Sequence, residues 1–140
     1  MKLVPLTPEL KPVKYPYYRS PAACGFVSPA ADYLQETLSL DQLLIRHPAA
    51  TFFARAQGQS MEGAGIFNED ILIIDRSLTP KSGDVVIALL DGELIVKRLV
   101  YRGSKPVLQS ENPDYPPIVL DSEQNLDVWG VVTEVVHRLR

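Results

Sequence analysis

Asp84-Val85-Val86-Ile87-Ala88-Leu89-Leu90-Asp91-Gly92-Glu93-Leu94-Ile95-Val96-Lys97-Arg98-Leu99-Val100 places two short aliphatic, largely β-branched runs on either side of an Asp-Gly step. Both central positions of a type I′ turn need positive φ, which Asp-Gly supplies, so the stretch predicts an antiparallel hairpin. Runs of the same texture surround it: Thr51 to Ala56, Ile71 to Ile74, Pro106 to Gln109, Ile118 to Leu120 and Val128 to Val136, separated by turn residues. Upstream, Ser39 and Gln42 have the spacing of a capping box, and Leu40, Leu43 and Leu44 recur at helical spacing until His47-Pro48 stops the pattern. The expectation is a mainly β domain with antiparallel sheets and one short helix at about 40 to 46.

With 140 residues and 46% apolar side chains, the chain can bury one substantial core, and two independent cores would be marginal. A net charge of −3 argues against a surface that holds duplex DNA by neutralising phosphates, so no direct sequence-specific DNA binding is expected. The single cysteine, Cys24, excludes an internal disulfide, and the two histidines, His47 and His137, stand too far apart in sequence to suggest a zinc site. No metal and no cofactor are expected. The first residues lack the apolar core of a signal peptide, and no later run is long enough to span a membrane. The expected compartment is the cytoplasm.

Six of the twelve prolines fall in the first 29 residues, at Pro5, Pro8, Pro12, Pro16, Pro21 and Pro29. Proline removes a backbone donor and pushes its predecessor toward extended geometry. Residues 1 to 28 therefore read as an extended arm, and 29 to 140 as the folded domain. Tyr15, Tyr17 and Tyr18 give the arm surface to bury, on its own domain or on a partner.

Three places carry candidate chemistry. Lys97 shares a strand face with Ile95 and Leu99, and apolar surroundings lower a lysine pKa toward the range of a general base. The plainer reading is a lysine that reaches water from an edge strand. Ser60, in Gly58-Gln59-Ser60-Met61, falls at a tight turn whose backbone amides, its own included, can face an oxyanion. An ordinary turn or N-cap serine fits the same pattern. Ala22-Ala23-Cys24-Gly25 is small and extended, suited to be a cleaved segment, and equally suited to be a plain linker.

Cys24 as a thiol nucleophile with His47 or His137 as base is disfavoured, because a nucleophile needs rigid support and the proline-rich arm offers little. A Ser–His–Asp triad built on either histidine meets a similar objection. His47 is tied to a helix-ending His-Pro step and His137 lies beside the C-terminus, so both read as surface or capping residues. Trp129 and its valine neighbours read as core or as a self-association strand.

Taken together, Cys24-Gly25-Phe26, Ser28-Pro29-Ala30-Ala31-Asp32-Tyr33, Leu43-Leu44-Ile45 with His47-Pro48, Gly58-x-Ser60-Met61, Gly83-Asp84-Val85-Val86, Asp91-Gly92-Glu93 and Val96-Lys97 closely resemble the UmuD branch of the LexA-like self-cleaving serine peptidases, with MucA, ImpA and RumA. The resemblance runs over residues 24 to 140 and is poor before Cys24. It implies a LexA-like C-terminal peptidase fold of twisted, β-clip-like antiparallel sheets behind an extended N-terminal arm. It also implies that a RecA filament on single-stranded DNA promotes hydrolysis of the Cys24–Gly25 bond, with Ser60 as nucleophile and Lys97 as general base. Gly58 and Met61 would complete the oxyanion loop. Loss of residues 1 to 24 would yield the homodimeric accessory subunit of an error-prone, UmuC-like translesion polymerase in the SOS response, in contact with the replicative sliding clamp.

The chain departs from the family pattern at Gln59, where aspartate is frequent, and at Glu69, where glycine is usual. Two other readings compete with self-processing. One is an interaction module with a vestigial site; the other is a LexA-like transcriptional regulator, disfavoured by the acidic balance and by the absence of a helix-turn-helix domain before Cys24.

Overall fold

In a computed structural model of the chain, residues 3–5, 13–18 and 35–140 are described. Strands β1 (Leu3–Pro5), β2 (Tyr15–Tyr18) and β3 (Gln35–Leu38) precede a five-residue helix α1 (Leu40–Leu44). Then follow β4 (Thr51–Arg55), β5 (Ile71–Asp75), β6 (Val85–Leu90), β7 (Glu93–Arg102), β8 (Lys105–Gln109), β9 (Ile118–Val119) and β10 (Val128–Val136). The described residues divide into two compact units, one of 3–5 and 47–140, the other of 13–18 and 35–46. The expected boundary at 28/29 lies outside the described residues.

In the smaller unit, β2 pairs antiparallel with β3, from Tyr15↔Leu38 to Tyr18↔Gln35. The Ser39 hydroxyl caps α1 by accepting from the Gln42 N–H at 3.4 Å. The helix stops two residues short of the expected 46, because Ile45 turns to extended backbone while its N–H still bonds Asp41. With so short a helix, no propagation energy opposes fraying at its end.

The larger unit is an eight-stranded sheet in the order β1-β4-β5-β10-β6-β7-β8-β9, antiparallel at every pairing. The mainly β expectation therefore holds. Asp91 and Gly92 take φ of 51° and 80°, both left-handed, and close the β6–β7 hairpin through Leu90↔Glu93 as a type I′ turn demands. The chain's first three described residues form β1, which extends the sheet against β4 from Leu3↔Ala54 to Pro5↔Phe52. A proline is tolerated there because β1 is the edge strand.

Apolar side chains form two clusters. The first joins Ala54, Ala56, Met61, Ile66, Leu72, Ile74 and Ile87, with Leu94, Val96 and Trp129 packed against it. The second joins Val86, Ala88, Leu99, Leu108, Leu120 and Val131, with Ile95 and Tyr101 alongside. Leu72, Ile74, Val86, Ile87, Leu99 and Val107 are completely buried, each worth about 1.5–3 kcal/mol of transfer free energy. Trp129, read as core or as part of a self-association strand, is half-buried at the edge of the first cluster: its ring meets Phe52 edge-on at 5.1 Å and carries the Arg76 guanidinium 4.2 Å above it. Gly130 lets β10 pass close to β5, since a Cβ there would lie 2.5 Å from Ile74 Cγ2.

Candidate active site

Lys97 is fixed by the β6–β7 ladder, in which Val86↔Lys97 and Ile87↔Val96 are partners. Burial alone lowers its pKa from the ordinary lysine value of 10.5, because the half-dry surroundings disfavour the ammonium. Its amine lies 3.0 Å from Ser60 Oγ, within hydrogen-bond distance, across 37 residues of sequence.

Ser60 sits in an irregular turn after β4. Gly58 takes a φ of 90°, a conformation that favours glycine, and its N–H donates to Asn68 Oδ1 at 2.8 Å. The Gln59 carbonyl accepts from Asn112 Nδ2 at 2.9 Å, and the Ser60 carbonyl accepts from the Glu111 N–H at 2.8 Å. Met61, only 3% exposed, drops into the first cluster and anchors the turn from beneath. A single 3₁₀ turn over Glu62–Ala64 follows, ending at Gly65 with a left-handed φ of 81°. Among the described residues, no protein acceptor takes the backbone N–H of Ser60 or of Met61.

Between this turn and β7 lies a cleft of about 230 Å³ lined by residues 56–58, Ser60, Met61, Ile66 and 93–97. Among the described residues, β7 has an open side here. It pairs with β6 along its whole first half, whereas β8 covers its other edge only from Arg98↔Gln109 onward. Residues 93–97 therefore present to the cleft strand backbone that no described residue claims, the arrangement that accepts an extended peptide as an added strand.

Each histidine is paired with a buried aspartate. His47 Nδ1 meets Asp75 Oδ2 at 2.6 Å, and His137 Nδ1 meets Asp70 Oδ1 at 2.6 Å. Burial raises the Asp75 carboxyl, yet hydrogen bonds from His47 and from the Ser77 hydroxyl and N–H outweigh it, so the pKa is lowered. These bonds pin the entries to β4 and β5. Among the described residues neither histidine hydrogen-bonds a serine hydroxyl, so no Ser–His–Asp triad forms there. Cys24 and Gly25 lie outside the described residues.

Sequence reasoning missed Asn68, Arg98, Glu111 and Asn112, which hold the turn in place. Ser110-Glu111-Asn112-Pro113 carries a turn signal, and Asn112 does cap Asp114 at 3.0 Å, but nothing in spacing ties it to Ser60. At Glu69, where the family resemblance has glycine, the backbone takes a left-handed φ of 73°, a conformation costing about 1 kcal/mol for a residue with a Cβ. Its side chain pairs with Arg55 at 2.8 Å in the open, where such pairs contribute little.

The profile of the Peptidase S24-like family matches residues 16–133. The chain is 44% identical to the ImpA protein of Salmonella typhimurium over 127 residues, covering 89% of this chain and 85% of ImpA. It is 41% identical to SamA of Salmonella typhimurium strain LT2 over 140 residues, covering 99% and 97% of the two chains. The LexA repressor of Ectopseudomonas mendocina is 34% identical over 117 residues, which cover 83% of this chain and 57% of the repressor.

Proposed function

The chain belongs to the Peptidase S24-like family, and from that premise we propose that it hydrolyses its own backbone between Cys24 and Gly25 with Ser60 as nucleophile and Lys97 as general base. The observation that carries this reading is the 3.0 Å approach of the Lys97 amine to the Ser60 hydroxyl beside an open strand edge. The family membership supports a self-cleaving serine peptidase, and the kinship with ImpA and SamA supports a role in SOS mutagenesis.

Neutral Lys97 takes the Ser60 proton as Oγ attacks the carbonyl carbon of Cys24. The oxyanion is received by the uncommitted N–H groups of Ser60 and Met61, with Gly58 giving the turn the backbone freedom to aim them. The Lys97 ammonium returns its proton to the Gly25 nitrogen as the C–N bond breaks. Water then attacks the acyl-serine as Lys97 takes its proton, and Lys97 passes that proton to Ser60 Oγ as the acyl C–O bond breaks, which frees the new C-terminus at Cys24 and restores both groups. Burial serves this sequence directly, since an amine kept protonated could not start it.

In this reading a RecA filament on single-stranded DNA stimulates cleavage by favouring the docked arm. The shortened chain, as a homodimer, then serves an error-prone, UmuC-like translesion polymerase and touches the sliding clamp. The test is incubation of the full-length chain at alkaline pH without RecA, read by mass spectrometry. The wild-type chain yields a fragment beginning at Gly25, and Ser60→Ala yields none. A Ser60→Ala chain still cut at Gly25 overturns the assignment, and a stable wild-type chain favours an interaction module with a vestigial site.

A further inference from the structure

Glu111 does not line the cleft but bonds both elements that wall it, the Ser60 turn and β7. β8 follows β7 as far as Gln109, opposite Arg98, and the chain then leaves the sheet. Glu111 next bonds the nucleophile turn at two points: its N–H donates to Ser60 O at 2.8 Å, and its carbonyl accepts from the Gly63 N–H at 2.7 Å. The fit is close enough that a Cβ on Gly63 would lie 2.6 Å from that carbonyl oxygen. Asn112 extends the contact through Gln59 O.

Those bonds fix the turn to residues 111 and 112 but do not by themselves fix either to β7. The Glu111 carboxylate supplies that link by accepting from Arg98 Nε, and Arg98 is the residue after Lys97. Arg98 is itself held from behind, its Nη1 donating to Gly83 O at 2.6 Å. The two side chains are 30% and 25% exposed, so water screens their pairing less than it does a surface pair such as Arg55–Glu69.

We infer that Arg98 and Glu111 are positioning residues, whose ion pair clamps the Ser60 turn to the strand bearing Lys97 and thereby sets the distance between hydroxyl and amine. The inference rests on the self-cleavage reading for its consequence, although not for its geometry. Neither side chain is required to touch the reacting atoms. A misplacement of about 1 Å between reacting groups can cost about a hundredfold in rate.

The experiment compares full-length wild type with Arg98→Ala, Glu111→Ala, Glu111→Gln and the Arg98→Ala/Glu111→Ala double variant. Self-cleavage is followed at alkaline pH, well below each variant's Tm, and amide hydrogen exchange is measured over residues 57–64 and over β5. Each alanine variant is expected to lose about tenfold or more in plateau rate. The double variant is expected to be no slower than the slower single variant, within about twofold, because the pair acts as a unit. Glu111→Gln, which keeps an acceptor oxygen, is expected to recover part of the rate. Exchange is expected to quicken in the turn and not in β5. Rates within twofold of wild type, losses that multiply in the double variant, or unchanged exchange in the turn would each overturn the clamp. Should wild type fail to cleave itself, the peptidase reading falls, and exchange in the turn alone decides for or against the clamp.

Discussion

Lys97 lies on a strand bonded to β6 from Val85↔Arg98 to Leu90↔Glu93, with completely buried Val86 and Ile87 behind it, whereas Ser60 lies on a turn outside any ladder, held by Asn68, Asn112 and Glu111. Lys97 is thus positioned by repetitive backbone bonding and apolar packing, which spread the effect of any one substitution over a sheet. Ser60 is positioned by a few polar bonds and one buried anchor, Met61. Damage to the first half should appear mainly as lost stability, and damage to the second mainly as lost chemistry.

The largest effect falls outside that division, at Lys97 itself, because the substitution removes the proposed reacting group rather than its support. Lys97→Met should abolish self-cleavage, a loss of about 10²–10⁴-fold for a general base, while raising Tm at neutral pH. The sign follows from burial. The folded-state pKa of Lys97 lies below 10.5, so the unfolded chain binds the proton more tightly and burying the ammonium costs stability in full below the folded pKa. That cost fades as pH rises from the folded pKa to 10.5, and the advantage of the methionine should shrink over the same window in thermal melts. A methionine variant less stable than wild type at pH 7 would show that the amine is better solvated than its surroundings suggest.

Ile87→Ala should come next. Removing a completely buried side chain opposite Val96 should cost about 2–5 kcal/mol in denaturant unfolding. Cleavage by the fraction that remains folded should change little, because the ladder still fixes the strand. Asn68→Ala should be the smallest in stability, about 0.5–1.5 kcal/mol for one hydrogen bond to Gly58, yet it should slow cleavage more than Ile87→Ala does. If Ile87→Ala slowed cleavage more, measured per folded molecule, the division between the two halves would be wrong.

Much of the fold was legible because strands announce themselves locally. The Asp91-Gly92 turn, the alternating runs and the Ser39 cap all depend on residues within a few positions, and the structure reproduces them with shifts of one or two residues at the ends. The paired strands Leu3–Pro5 and Tyr15–Tyr18 were less legible, since proline and tyrosine predict extension but not the partner strand, and Gln35–Leu38 carries no local strand signal at all. At the site, Ser60 and Lys97 stood out by residue type and by resemblance. Arg98, Glu111 and Asn112 did not, because a charged residue on a strand and an Asn-Pro step read as ordinary surface and turn.

The sequence by itself determined the mainly β class, the hairpin that carries Lys97, the glycine-hinged turn that carries Ser60 and the membership of the Peptidase S24-like family. Tertiary structure alone decided that an amine and a hydroxyl 37 residues apart meet at 3.0 Å, that no described strand covers one edge of β7 beside them, and that Glu111 bonds both the Ser60 turn and Arg98. The physical reason is range. Turn and strand propensities act through neighbouring dihedral angles, whereas the separation of two side chains on different elements depends on the order of strands in the sheet and on the packing beneath it.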